Sequence, residues 1–149
     1  MRKRLLLSID QSENRQAAVD FTIGLASSSD AEVRVLHIRE LSTSLRVPPL
    51  ETGADAEALV DESVCRLEAA GIRASGEVLS ARENQVARWI VAVANQRRCD
   101  AIILGSMRLR GFKSLMGHGV RERVLKQSSL PVVVTPPSLR VTIRSMADL

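Results

Sequence analysis

AIILGSMRLRGFKSLMGHGVRERVLKQSSLPVVVT, residues 101–135, is the stretch whose reading decides the fold. The apolar run Ala101 to Leu104 stops at Gly105, and a basic loop carrying Gly111, Gly117 and Gly119 follows. A helical pattern starts near Val120, and Pro131 to Thr135 is a β-branched run. The order is strand, glycine-bearing loop, helix, strand. A helix start leaves backbone N–H groups unpaired and carries about half a positive charge, which favours an anion such as phosphate. Arg108, Arg110, Lys113, Arg121 and Arg123 stand around it, and glycines let backbone approach a ligand closely. The stretch points to a pocket for a phosphorylated small molecule. A solvated surface loop is the plainer reading of the same residues.

Upstream, the same alternation of strand and helix recurs. Arg4 to Ile9 (RLLLSI) is a near-continuous apolar run, as in a strand buried on both faces. Ser12 is placed to cap a helix whose apolar positions Ala17, Phe21 and Leu25 recur every fourth residue, ending in Ser27 to Ser29. Glu32 to Ile38 is the second strand. The polar segment from Leu41 to Gly53, with Pro48 and Pro49, reads as a surface excursion. Ala54 to Ala70 spaces Ala56, Leu59, Val60, Val64 and Leu67 as a helix, with Gly71 placed to end it. Arg73 to Leu79 is a weaker strand, and a third helix runs from about Glu83 to Arg97 with Val86, Ile90 and Val93 inward.

Strand and helix alternating from end to end predict an α/β fold: a Rossmann-like, doubly wound five-stranded parallel sheet with helices on both faces. One domain, residues 1–137, accounts for the pattern. The tail 138–149 carries LRVTIR, a strand-like alternation that would extend the sheet or pair with another copy.

Composition narrows the function classes. At 149 residues the chain is one domain by length. Its longest apolar runs are strand-sized, far short of the roughly 18 to 20 residues of a membrane span, and the start MRKRLLLSIDQ lacks a cleavage pattern. Cys65 and Cys99 have no metal or redox spacing, so reduced thiols and a cytoplasmic location are the economical reading, with Cys65 structural. Lysine and arginine total 21 against 17 acidic residues, with the excess concentrated from Arg97 onward. Nucleic acid is unsupported, because the chain has no Tyr, one Trp and two Phe on which bases would stack. His37 reads as a packed, hydrogen-bonded histidine, and Trp89 as helix surface or dimer packing.

In doubly wound sheets, ligands bind at the carboxyl ends of the strands where strand order reverses. With strands one and four adjacent, Asp10 and Gly105 face each other across that crevice. Asp10 can accept from an amino group or ribose hydroxyls, or serve only as a turn former bonding its own loop. No catalytic set is defensible: Ser106 is not in a G-x-S-x-G elbow, Asp10 lacks the acidic neighbours of a receiver domain, and Gln11 and Ser12 exclude a phosphatase Asp-x-Asp. DQSEN likewise replaces the glycine loops of dinucleotide and PP-loop enzymes.

The chain resembles the universal stress proteins from about Lys3 to Thr135. LLLSIDQSEN, EVRVLHIRE and Gly105-Ser106 through RGFKSLMGHGVRERVLKQSSLPVVV carry the resemblance. It implies strand order 3-2-1-4-5, a homodimer, and a regulator of stress response that binds ATP or another adenine nucleotide at the strand 1/strand 4 crevice. By match to the family, Asp10 lies near adenine and ribose, Ile38 at adenine through its backbone, Leu104 and Gly105 at the strand-four edge, and Val120 and Arg121 at the helix-start amides. The motif G-x2-G-x9-G-[ST] is kept at Gly105 and altered elsewhere: Arg108 replaces the second glycine, and His118 and Gly119 replace the final pair. Arg108 and Arg121 would either neutralise a polyphosphate or fill the pocket. The alternative is a dimeric interaction module that binds no nucleotide.

Overall fold

β1 (Arg4–Ile9) is the middle strand, and Leu5, Leu6 and Leu7 are all buried, so both of its faces are covered. The computed structural model describes residues 2–12, 14–41, 51–105 and 119–136. After β1 come α1 (Arg15–Ser29), β2 (Glu32–Leu41), α2 (Gly53–Ala69), β3 (Ala74–Arg82) and a 3-10 turn (Glu83–Gln85). α3 (Val86–Gln96), β4 (Ala101–Leu104), α4 (Val120–Gln127) and β5 (Val132–Val134) complete the order. The five strands pair in parallel as β3-β2-β1-β4-β5, the doubly wound sheet expected from the sequence.

The period of two along each strand divides the core into two layers. Leu5, Leu7, Ile9, Val33, Val35 and Ile103 pack with Ala18 and Val19 of α1 and Val60 and Leu67 of α2. On the other face Leu6, Leu36, Ile38, Ile102 and Leu104 meet Val86, Ile90 and Val93 of α3 and Val124 of α4. α2 is closed at both ends by local bonds. Thr52 and Asp55 form a reciprocal capping box, and at the far end Gly71, at φ +84°, lets the Ile72 N–H reach the Leu67 carbonyl at 3.0 Å.

Several expectations need correction. α1 starts at Arg15, and Ser12 does not cap it: the Ser12 N–H is engaged by Asp10, and its carbonyl accepts from the Arg15 N–H at 3.2 Å. Its inward face is Ala18, Val19, Thr22 and Ala26, whose small side chains allow close approach to the sheet, while bulky Phe21 is turned out at 38% exposure. Buried Thr22 satisfies its hydroxyl on the Ala18 carbonyl at 2.8 Å. β2 and β3 both run beyond their expected ends, pairing from Ile38 with Leu79 to Leu41 with Arg82. Backbone pairing needs no apolar side chains, so hydropathy did not mark this extension. Cys65 is exposed rather than structural, whereas Cys99 is buried and burial pushes its thiol up. The Leu41–Gly53 stretch is not all surface: Leu41 ends β2, Glu51 is buried and Gly53 opens α2. Residues 42–50, the tail, Arg108 and His118 lie outside the described residues. Among the described residues no helix is long and apolar enough to cross a membrane.

Candidate functional site

β1 and β4 are neighbours, but the chain leaves them toward helices on opposite faces, and the two carboxyl ends part to leave a crevice. Its volume is about 130 Å³. That is below the roughly 300 Å³ at which pockets enclose a whole drug-sized ligand, so it has room for one part of a nucleotide. Two wider clefts, of about 350 and 360 Å³, lie at the opposite edge, where strands begin. Neither joins a helix start to an apolar wall, as the crevice does.

Ile38, Val86, Ile90 and Leu104 form that apolar wall, and all four are buried. Asp10 is exposed at the end of β1. Its Oδ1 accepts from the Ser12 N–H at 2.8 Å, the local turn that short polar residues favour. Its second oxygen makes no bond to a described residue, so the turn and a ligand contact are compatible. Glu40, which has a partner of its own, brings a second carboxylate at the β2 side. At the β4 side stand Gly105, Val120 and Arg121. The crevice is thus acidic toward β2 and basic toward α4.

α4 begins at this edge. Its N-cap is Gly119, extended at φ −64° and ψ 159°, which has no side chain to occupy the first amides. Arg121 donates from Nη2 to Glu122 Oε1 at 3.1 Å, and 39% of its side chain stays exposed. Glu122 in the first turn offsets part of the helix-start charge. Gly105 has room for a side chain as far as the described residues reach: a Cβ there would meet only Ala18 Cβ, at 3.7 Å, an ordinary contact. Its φ is not positive, so its backbone conformation does not call for glycine.

Of the residues singled out from sequence, Asp10, Ile38, Leu104, Gly105, Val120 and Arg121 line one cavity, and Gly119 sits at its rim as the helix cap. Sequence reasoning missed Glu40 and the wall residues Val86 and Ile90. The last two share one face of α3, four residues apart, a signal that was read only as core. His37 is buried just behind the crevice, with Nδ1 on the Ile9 carbonyl at 2.9 Å and Nε2 on Glu51 Oε1 at 2.6 Å, in keeping with a packed histidine. Among the described residues no cluster of three or more His, Cys, Asp or Glu is arranged for a metal ion.

Comparison with known proteins agrees with the fold. The universal stress protein family model matches residues 1–136. A universal stress protein of Methanocaldococcus jannaschii is 26% identical over 143 residues, 89% of this chain and 81% of its own length. Among solved structures, a universal stress protein in complex with cAMP superposes with TM-score 0.72 at 18% identity, covering 92% of this chain and 98% of the other. One from Archaeoglobus fulgidus in complex with dAMP gives 0.68 at 18% identity, covering 90% and 98%. The chain belongs to the universal stress protein family.

Proposed function

We propose that the chain is a regulator of stress response that binds an adenine nucleotide, with ATP as the form the family resemblance implies, in the crevice between β1 and β4. The observation that carries this reading is the polarity of the crevice. A base fits the apolar wall of Ile38, Val86, Ile90 and Leu104. The Asp10 oxygen that has no partner among the described residues can accept from ribose or amino donors, and phosphates run toward Arg121 and the start of α4, whose N-cap glycine has no side chain. The relatives solved with cAMP and dAMP support an adenine nucleotide in this fold. The role is one of binding and not of catalysis.

The experiment is native mass spectrometry of freshly purified protein followed by calorimetric titration with ATP, ADP, AMP and cyclic AMP. A retained nucleotide or a saturable heat is the expected result, with Arg121→Ala weakening ATP more than AMP. No heat, with unchanged melting in millimolar ATP, would overturn it. The small volume of the crevice favours, in that case, the second reading: an interaction module acting as a dimer. A homodimer is part of both readings. Among the described residues β5 is an edge strand, and its Val132, Val133 and Val134 are only half-buried, which supports pairing between copies there.

A further inference from the structure

A parallel sheet gathers its strand starts along one edge, so residues far apart in sequence become neighbours there. In this chain arginines occupy that edge. Arg4 opens β1, Arg34 lies early in β2, Arg73 immediately precedes β3, and Arg97 falls between α3 and β4. All four line a single cleft of about 350 Å³, with buried Cys99 and Val33 also in its wall.

Three of the guanidinium groups are held in position. Arg4 donates from Nε to Glu32 Oε1 at 2.7 Å and from Nη1 to the Arg97 carbonyl at 3.3 Å. Arg34 donates from Nε to Glu77 Oε1 at 3.2 Å and from Nη1 to Ser75 Oγ at 3.1 Å. Arg97 reaches Glu77 Oε2 from Nη2, also at 3.2 Å. Burial pushes the Glu77 carboxyl up, but hydrogen bonds from Arg97 and Arg34 and the charge of both outweigh it and hold it below the ordinary carboxylate range. Glu77 therefore stays an anion and tethers both arginines. Arg73, exposed at the rim, has no hydrogen-bond or ion-pair partner for its side chain among the described residues.

A structural ion-pair network balances its charges, and this one does not. Four guanidinium groups line the cleft against three nearby carboxylates: Glu32 in its wall, Glu77 paired with Arg34 and Arg97, and Asp100, which accepts from the Arg4 backbone N–H at 2.8 Å. Each guanidinium carries five N–H donors, of which the bonds above use two at most in Arg4 and Arg34. We propose that this cleft is a second ligand site, at the edge opposite the nucleotide crevice, for a compact oxyanion bearing two or more negative charges: a pyrophosphate or phosphomonoester group. The planar forks match phosphoryl oxygens in pairs, and three of them are already ordered, which lowers the entropy cost of binding. Arg73 completes the set by swinging in from the rim.

The test is calorimetric titration of the full chain with sodium pyrophosphate at low ionic strength, alongside amide NMR spectra. Saturable binding is expected, with shifts centred on the backbone of residues 73–75 and 97–99 and an affinity that falls as salt screens the arginines. Arg73→Ala, which removes no side-chain hydrogen bond or ion pair within the described residues and should melt like the parent, is expected to weaken binding about tenfold. That dependence should persist in an Arg121→Ala background. Binding abolished by Arg121→Ala but untouched by Arg73→Ala would overturn the proposal by placing the anion in the crevice. So would the absence of heat and of amide shifts at millimolar pyrophosphate. Adenosine, which carries no phosphate, probes the crevice separately, so either site can fail without the other.

Discussion

His37 of β2 and Glu51, at the entry to α2, are joined at 2.6 Å with both side chains buried. The other ring nitrogen faces the Ile9 carbonyl at 2.9 Å, which can only accept, so Nδ1 carries a hydrogen. A hydrogen must then lie between Nε2 and Oε1, so the two buried groups share one short bond. Arg39 adds a bond from Nε to the Glu51 carbonyl at 2.8 Å, so the chain entering α2 is fastened twice to β2. His37→Ala leaves a buried carboxylate without its partner and is expected to cost about 3 kcal/mol. Glu51→Gln keeps a hydrogen bond, its amide donating to a neutral imidazole, and should cost about 1 kcal/mol. Urea titrations of the two variants check the ordering, and equal losses would show that glutamine does not keep the bond to His37.

Gly76 is required by packing. Its φ is not positive, but a Cβ there would overlap Val60 Cγ1 of α2 and crowd Val64 Cγ2 at 3.1 Å. α2 thus lies on β3 at a distance that only glycine permits. Gly76→Ala is expected to destabilise by about 2 kcal/mol, the usual cost of overpacking. Adding Val60→Ala should recover part of the loss, because the two changes share one contact. Strictly additive losses in equilibrium unfolding would count against the clash.

The fold was legible where a single period ruled a segment. Leu5 to Leu7 and Ala101 to Leu104 form unbroken apolar runs, and Val86, Ile90 and Val93 recur at helical spacing, so β1, β4 and α3 emerged in place. α1 was harder because its inward face is made of Ala18, Thr22 and Ala26, residues with little hydropathy, while exposed Phe21 drew the eye. The Thr52–Asp55 capping box was present in ETGAD but sat beside prolines that read as loop. Much of the crevice followed from one topological rule applied to Asp10 and Gly105. Glu40 and the arginine cleft did not, because they are assembled by register: Arg4, Arg34 and Arg73 are some thirty or more positions apart, and only parallel pairing makes them neighbours.

Acid stability should carry the mark of two carboxyls. Bonds from the Thr52 backbone N–H and then its side chain hold Asp55 below its ordinary 3.8, and Glu77 is held below 4.5. A carboxyl lowered in this way binds its proton less readily folded than unfolded. Its contribution is complete above the unfolded value and is lost as pH falls through the folded one. Stability should therefore drop as pH falls below about 4.5 and more steeply in the parent than in Glu77→Gln or Asp55→Asn, whose acid limbs should be flatter. Parallel limbs in urea midpoints measured down this range would show that neither carboxyl is linked to folding.

Asp10 does two jobs on the crevice reading, and one substitution separates them. Asn at this position retains an Oδ1 that can accept from the Ser12 N–H, so the turn into α1 survives, but the negative charge is gone. Ala removes both. Asp10→Asn is expected to melt within about 0.5 kcal/mol of the parent, whereas Asp10→Ala also forfeits the turn bond, about 1 kcal/mol. Adenine-nucleotide affinity should fall in both by a similar factor, about tenfold, for a lost bond between a charged acceptor and a neutral donor. If affinity in the Asn variant is unchanged while the Ala variant loses stability alone, Asp10 is a turn former only. The base and sugar would then be held by the apolar wall and Glu40, and the sensitivity to Arg121→Ala would remain.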